Sequence, residues 1–228
     1  MTTETDGGYK FPDGIPINPI DPGTIVLVAG PALSRAEAVA RTLVAGGSDA
    51  EEGMLYISTN MTAEKLLNAC RQTQPSFDDT RMGVIDCSGQ DAAQSALGER
   101  VKYVSTQSDL TGIGMKFSAL YEGLYGTVEH GRVRTGLISL SSLSMYVDLR
   151  ALFQFAQTVS GRIDSAGGLG VLAIDPTTHD TKAVNTLSQV ADGRIEVRES
   201  ESGAGDGELR VRGLPDQPNG WQPFTLSE

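Results

Sequence analysis

Apolar residues along this chain fall into short continuous runs separated by longer segments with helical periodicity. The runs TIVLVAG, MLYIST, MGVIDCS, RTGLISL and LGVLAID are apolar at nearly every position, which is typical of strands buried on both faces of a parallel sheet. The segments between them repeat apolar residues every three to four positions, which predicts amphipathic helices. This alternation predicts an α/β domain, with helices on both faces of a twisted, mostly parallel sheet.

Residues with capping side chains indicate where the helices begin. Ser34, Thr62 and Asp148 stand directly before three helical segments, and Ser108 or Asp109 stands before a fourth. VKYVST predicts a short edge strand. RIEVRE and ELRVRG, joined by the acidic SESGAGDG, predict an antiparallel β-hairpin at the end of the sheet. The connection after MGVIDCS has no assignable pattern.

The same pattern divides the chain into three parts. Residues 1–22 mix Gly, Pro, Asp and Thr without periodicity, which predicts a flexible N-terminal tail, disordered or draped over the domain. Residues 23–198 form the α/β domain. Residues 199–228 add the hairpin strand and a tail with the single tryptophan, Trp221, and the pattern does not say whether this tail folds back.

The net charge of the chain limits the classes of macromolecule that it can bind. The chain has 29 Asp and Glu against 18 Lys and Arg, for a net charge of −11, and only five of the basic residues are lysines. An acidic, lysine-poor surface stays soluble in a salt-rich cytosol, which favours a haloarchaeal source, with an ordinary acidic protein as the alternative. Because there is no basic patch, we expect no nucleic-acid partner.

Cysteine usage and hydropathy indicate the compartment. Cys70 and Cys87 lie in apolar contexts, which predicts buried free thiols and neither a disulfide framework nor a metal motif. No apolar run reaches the roughly 20 residues of a membrane span, and the polar start of the chain is unlike a signal peptide. We therefore expect a cytoplasmic protein.

The stretch VLVAGPALSRAEAVART has the layout of a phosphate-binding loop, a strand followed by a glycine turn and a helix. Aligned with G-x-x-x-x-G-K-[ST], Gly30 takes the first glycine, Arg35 the second, Ala36 the lysine and Glu37 the Mg²⁺-binding hydroxyl. Ala36 removes the principal cation, and Glu37 adds a negative charge beside the phosphate seat. The sequence therefore predicts only a vestigial nucleotide-binding loop, made of Gly30, Ser34 and Arg35.

Several motifs together resemble one superfamily. GTIVLVAG, LYIST, SDLTGIG, LISLSSLSMYVDLRALFQF, GLGVLAIDPTTHD and VADGRIEVRE are similar to the RecA superfamily, and within it to the KaiC-like ATPases of archaea and their small haloarchaeal relatives. The likeness covers about residues 23–198. It implies a RecA-like sheet in which the carboxyl ends of the strands form a nucleotide cleft.

The resemblance also identifies two further positions. Active relatives place a Mg²⁺-binding aspartate where this chain has Ile138, and a catalytic glutamate where it has Asn60, which cannot act as a general base. With Ala36 and Glu37, four groups of the ATPase mechanism are absent, at three strand ends. Phosphoryl transfer depends on positioning and charge neutralisation, so we expect no catalytic residues, no metal and no cofactor.

Two other groups of residues have simpler interpretations. Asp175, His179 and Asp180 in IDPTTHD are compatible with a metal or acid–base site, but a turn fixed by Pro176 followed by a helix start is the favoured interpretation. SLSSLSM lacks the G-x-S-x-G elbow of a serine hydrolase, and the only other histidine is His130.

Three functions follow as hypotheses. The leading one is a non-catalytic RecA/KaiC-like domain, a pseudo-ATPase that binds another protein or itself in a regulatory or scaffolding role. The alternative is a sensor that binds nucleotide or another anion without hydrolysis, through Arg35 and the loop amides. The third is an enzyme of unrelated chemistry at IDPTTHD.

Overall fold

The computed structural model describes residues 7–74, 76–89, 97–128, 131–201 and 203–226. His130 and most of the connection after the third strand lie outside these residues. In the part of the chain that is described, nine strands form one sheet: β1 (Ile25–Ala29), β2 (Gly53–Ser58), β3 (Met82–Asp86), β4 (Val101–Tyr103), β5 (Val133–Ile138), β6 (Leu169–Ile174), β7 (Gly193–Arg198), β8 (Gly207–Arg212) and β9 (Gln222–Phe224).

The sheet is mostly parallel, as the sequence predicts. Its strand order is β4-β3-β2-β5-β6-β1-β7-β8-β9. The strands from β4 to β7 in this order pair in parallel, and β8 and β9 add two antiparallel pairings at one edge. VKYVST gives the opposite edge strand, β4. The fold class and the hairpin are confirmed.

Within the described ranges, six α-helices connect the strands: α1 (Ala36–Ala45), α2 (Ala63–Thr73), α3 (Leu110–Tyr125), α4 (Leu140–Leu143), α5 (Leu149–Ser165) and α6 (Thr181–Ser188). They cover both faces because consecutive side chains of each strand point in opposite directions. In β1, Val26 and Val28 pack in the core beneath α1 and α2, whereas Leu27 packs with α3 and α5 on the other face. Because the side chains on both faces of the strand are buried, apolar residues occupy consecutive positions in the sequence.

Three of the predicted helix caps are confirmed, and one is wrong. Thr62, Asp109 and Asp148 each accept a hydrogen bond from a backbone N–H in the first turn of their helix. Ser34 does not cap α1. It lies in a 3₁₀ turn and donates its hydroxyl to the carbonyl of Pro31 at 2.7 Å. The residue before α1 is Arg35, whose left-handed φ of 63° redirects the chain.

Residues 7–22, where composition predicts a flexible tail, are packed against the domain. Tyr9 is fully buried, and Ile15, Ile17 and Ile20 join the core beneath α1 and α2. The Tyr9 hydroxyl donates to the carbonyl of Gly167 at 2.9 Å. Four apolar side chains in a polar segment thus provide enough burial to hold it in place.

A buried arginine fixes this segment. Arg134 of β5 has no solvent exposure; its Nε donates to Glu52 Oε2 at 2.5 Å, and its two terminal nitrogens donate to the carbonyls of Leu43 and Lys10. Arg132 also pairs with Glu52, at 3.1 Å. One carboxylate therefore pairs with two arginines, and Arg134 also binds the backbone of the N-terminal segment.

The C-terminal segment folds back on the sheet. Phe224 of β9 is 1% exposed, and the ring of Trp221 lies 4.2 Å from the guanidinium carbon of Arg198 and 4.5 Å from that of Arg210. This segment also contacts the N-terminal one, since Asn18 bonds to Asp216 and Gln217, and the Thr225 amide donates to the Gly14 carbonyl.

Candidate functional site

Four strand ends meet at one cleft. Gly30 follows β1, Asn60 lies just beyond β2, Ser139 follows β5 and Asp175 follows β6. They line a cavity of about 420 Å³, at the carboxyl edge where α/β sheets bind ligands. The remaining lining residues come from the loop after β1, the start of α1, the region of α4, the end of β6 and the turn that follows it: Pro31, Ala32, Ala36, Glu37, Ser141, Ser142, Ser144, Met145, Ala173, Ile174 and Thr178.

Packing requires the glycine at position 30. A Cβ there would lie 2.5 Å from the carbonyl oxygen of Val197 and even closer to Ser34 Oγ. The loop after Gly30 is closed by Asp175, whose Oδ2 accepts the Ala32 amide at 3.0 Å. The glycine therefore lets the loop approach β7, a structural role that needs no phosphate.

The three residues of the predicted nucleotide loop do not converge. Gly30 lines the cleft, but Ser34 is 2% exposed and its hydroxyl donates a hydrogen bond to the carbonyl of Pro31. Arg35 pairs with Asp206 at 3.0 Å and is not among the residues that line the cleft. The arginine that would have supplied positive charge lies beside the β-hairpin instead.

Three of the four positions that the resemblance matches to ATPase residues do converge. Ala36, Glu37 and Asn60 all line the cleft, and the Asn60 amide donates to Glu37 Oε2 at 2.8 Å. Ile138 is fully buried in the core beneath α1. At the positions matched to the lysine and the metal ligand, the cleft therefore holds a methyl group and a carboxylate.

The opposite wall consists of serine hydroxyls that sequence reasoning did not place in the site. Ser139 has a φ of 73°, accepts the Ser142 amide and lies 2.9 Å, Oγ to Oγ, from Ser142. Thr59 donates its hydroxyl to the carbonyls of Ile138 and Ser139, which holds the end of β5 in place. The serine-rich run SLSSLSM is the sequence feature that could have indicated these hydroxyls.

The turn interpretation of IDPTTHD is confirmed. Asp175 accepts hydrogen bonds from the amide and the hydroxyl of Thr177, and Pro176 opens a 3₁₀ turn. Asp180 caps α6 by accepting the Ala183 amide. His179 Nε2 lies 2.9 Å from Ser141 Oγ. In the described residues, no cluster of three or more His, Cys, Asp or Glu side chains is arranged to hold a metal ion.

The cleft is acidic and hydroxyl-rich. Its charged lining groups are Glu37 and Asp175, and no lysine or arginine is among the lining residues that the structure describes. A phosphate in this cavity would lie near carboxylates without a compensating cation, so the electrostatics favour a cationic or neutral ligand.

Cys70 and Cys87 are buried free thiols, as predicted. Burial raises the pKa of Cys70 to about 11, against a smaller lowering effect of its hydrogen bond with Tyr56. Burial, assisted by the charge of Asp86, raises the pKa of Cys87 to about 12. Neither thiol lines the cleft, and both are protonated at neutral pH.

Comparisons with known proteins support the fold and leave the activity open. The model of a family of unknown function, DUF7504, matches residues 23–197. No curated protein matches significantly. The crystal structure of a KaiC-like protein from the hyperthermophilic archaeon Pyrococcus horikoshii OT3 is similar to this chain, with a TM-score of 0.66 and 11% sequence identity over 94% of this chain and 91% of that chain. At this identity the likeness shows a RecA/KaiC-like fold alone. No helix in the described ranges is both long and apolar enough to cross a membrane.

Proposed function

We propose that this chain, which belongs to the family of unknown function DUF7504, is a RecA-like domain that does not hydrolyse ATP and acts by binding another protein. The observation that carries the proposal is the hydrogen bond between Glu37 and Asn60 inside the cleft. It places a carboxylate beside the seat where a nucleotide phosphate would need a cation and a metal.

The surroundings of this pair support the same proposal. Ala36 offers no charge, Arg35 is engaged with Asp206, and Ile138 is enclosed in the core. Restoring a hydrolytic site would require changes at several strand ends. By contrast, the frame of the cleft is held by satisfied polar groups, including Asp175 and Thr59. A cleft whose loops are held by hydrogen bonds, but which lacks the groups of the ATPase mechanism, supports a role in binding.

The melting temperature tests this function directly. We expect no rise with millimolar ATP or ADP, with or without Mg²⁺, and no Mg²⁺-dependent phosphate release. A nucleotide present at 100 times its Kd would add about 2.7 kcal/mol, a rise of roughly 5–11 °C for a domain of this size. Scans in low salt and in about 2 M KCl also test the proposed haloarchaeal source, since a halophilic surface needs screening.

Glu37→Gln provides the matched variant. It removes the negative charge and keeps an amide oxygen for Asn60. Nucleotide binding by this variant alone would show that the carboxylate excludes phosphate. An ATPase rate in the native chain that disappears on changing Glu37 or Arg35 would refute the proposal. A nucleotide-induced rise in melting temperature without hydrolysis would instead favour an anion sensor, in which Arg35 must leave Asp206.

A further inference from the structure

We infer that the cleft docks a partner segment in which an arginine or lysine stands between apolar residues. The docking surface consists of Leu33, Glu37, Asn60, Met145 and Tyr146, and is called the cleft mouth below. The inference rests on the proposed function, because it names the partner chemistry for the same cleft.

The apolar part of the cleft mouth is unusually exposed. Leu33 is 82% exposed, Met145 80% and Tyr146 53%, and these are three of the five large apolar side chains exposed in the described part of the chain. Met145 itself lines the cleft, and Leu33 follows the lining residue Ala32. Tyr146 in turn follows Met145 along the chain. Exposed apolar side chains next to residues that line a cavity are typical of a surface that another protein covers.

The charge inside the cleft selects what enters it. Asn60 holds Glu37 at the cavity by binding Oε2, and no ion pair to Glu37 is present in the ranges that the structure covers. The serine hydroxyls of the opposite wall add further acceptors. A single cationic side chain would therefore find a carboxylate and neutral acceptors inside, while its apolar neighbours rest on Leu33 and Met145.

A second copy of this chain is a poor match for the same surface. The chain carries a net charge of −11 and only 18 basic residues. Bringing two such surfaces together sets like charges against each other, whereas a basic segment of a different protein is complementary to the cleft. Charge complementarity thus points to a different protein as the occupant.

A blocked tripeptide tests the inference in the full chain. The probe is acetyl-Leu-Arg-Leu-amide, compared with the same peptide containing neutral citrulline, at the lowest salt at which the chain stays folded. Methionine methyl groups labelled with ¹³C report binding by NMR, with Met145→Leu identifying the resonance of Met145. Met115 is an internal reference, because it is 65% exposed and lines a different groove, between α3 and α5.

We expect the arginine peptide to shift Met145 in a saturable manner and to leave Met115 unchanged. Glu37→Gln should weaken binding about fivefold or more, as expected for loss of a charged partner. The matched control is Glu122→Gln, the same change at an exposed position on α3, which should leave binding unaltered.

Three results would overturn the inference. The first is no shift of the Met145 resonance at about 10 mM peptide, a concentration beyond the weakest useful affinity. The second is equal binding of the citrulline peptide. The third is a shift of the Met145 resonance when the protein alone is concentrated, which would assign the surface to a second copy. None of these alters the nucleotide experiment, so a failure here is distinguishable from a failure of the proposed function.

Discussion

Glu52 pairs with two largely buried arginines, Arg132 and Arg134, and changing it to glutamine provides a direct test of the packing beneath α1. The carboxylate is 7% exposed and bonds to Arg134 at 2.5 Å and to Arg132 at 3.1 Å. Burial lowers the pKa of Arg134, and the charge of Glu52 opposes this effect. Glu52→Gln keeps the shape of the side chain and takes from the fully buried Arg134 guanidinium the carboxylate that it binds.

The expected loss of stability follows from this geometry. Removing one partner of a buried ion pair costs about 3–5 kcal/mol, and glutamine can still accept one hydrogen bond, so we expect about 3 kcal/mol. For a chain of this size that corresponds to a fall in melting temperature of roughly 6–12 °C. The assay is urea unfolding followed by circular dichroism, with the midpoint decreasing and the slope unchanged.

The neighbouring residue supplies the control. Glu51 is 73% exposed and lies 3.7 Å from Arg81, so Glu51→Gln should change stability by less than about 0.5 kcal/mol. If Glu52→Gln costs less than about 1 kcal/mol, or no more than Glu51→Gln, then the buried network is not what holds the N-terminal segment, and the reasoning is refuted.

Three further predictions concern the loop, the thiols and the last strand. Gly30→Ala should lower stability by about 1–3 kcal/mol in thermal unfolding, because its Cβ would meet the backbone of Val197; a neutral result would contradict the close approach. The free energy of unfolding should fall as pH rises from 9 towards 11, since Cys70 and Cys87 ionise near 9.0 when unfolded but hold their protons to about 11 and 12 when folded; a flat urea midpoint over this interval would count against it. Phe224→Ala should cost about 3–5 kcal/mol and shift the tryptophan fluorescence to the red, and an unchanged spectrum would show that β9 does not depend on this side chain.

The sheet was predictable because its strands are buried on both faces. In β1, β2 and β6 burial on both faces requires apolar residues at consecutive positions, and that signal is local. Arg134 shows where such reasoning ends. Its full burial depends on Glu52, on a carbonyl of α1 and on Lys10, which come from three separate parts of the chain.

The candidate site was only partly predictable for a related reason. Gly30 and Glu37 were identified by alignment with the phosphate-loop motif and Asn60 by the resemblance to active relatives, and the structure brings the three to one cleft. The hydrogen bond between Glu37 and Asn60 joins residues 23 positions apart, so it required the fold. The Ser34 cap was wrong because the local pattern does not reveal that Arg35 adopts a left-handed conformation.

The contact between the two ends of the described chain has a consequence for biosynthesis. Gly14 and Asn18 leave the ribosome before their partners Asp216, Gln217 and Thr225, which are synthesised about 200 residues later. Closing such a long loop carries a large entropic cost and slows folding. The apolar residues of the segment can pack beneath α1 and α2 earlier, but the polar contacts that join the segment to the last strand form only after β9 has been synthesised.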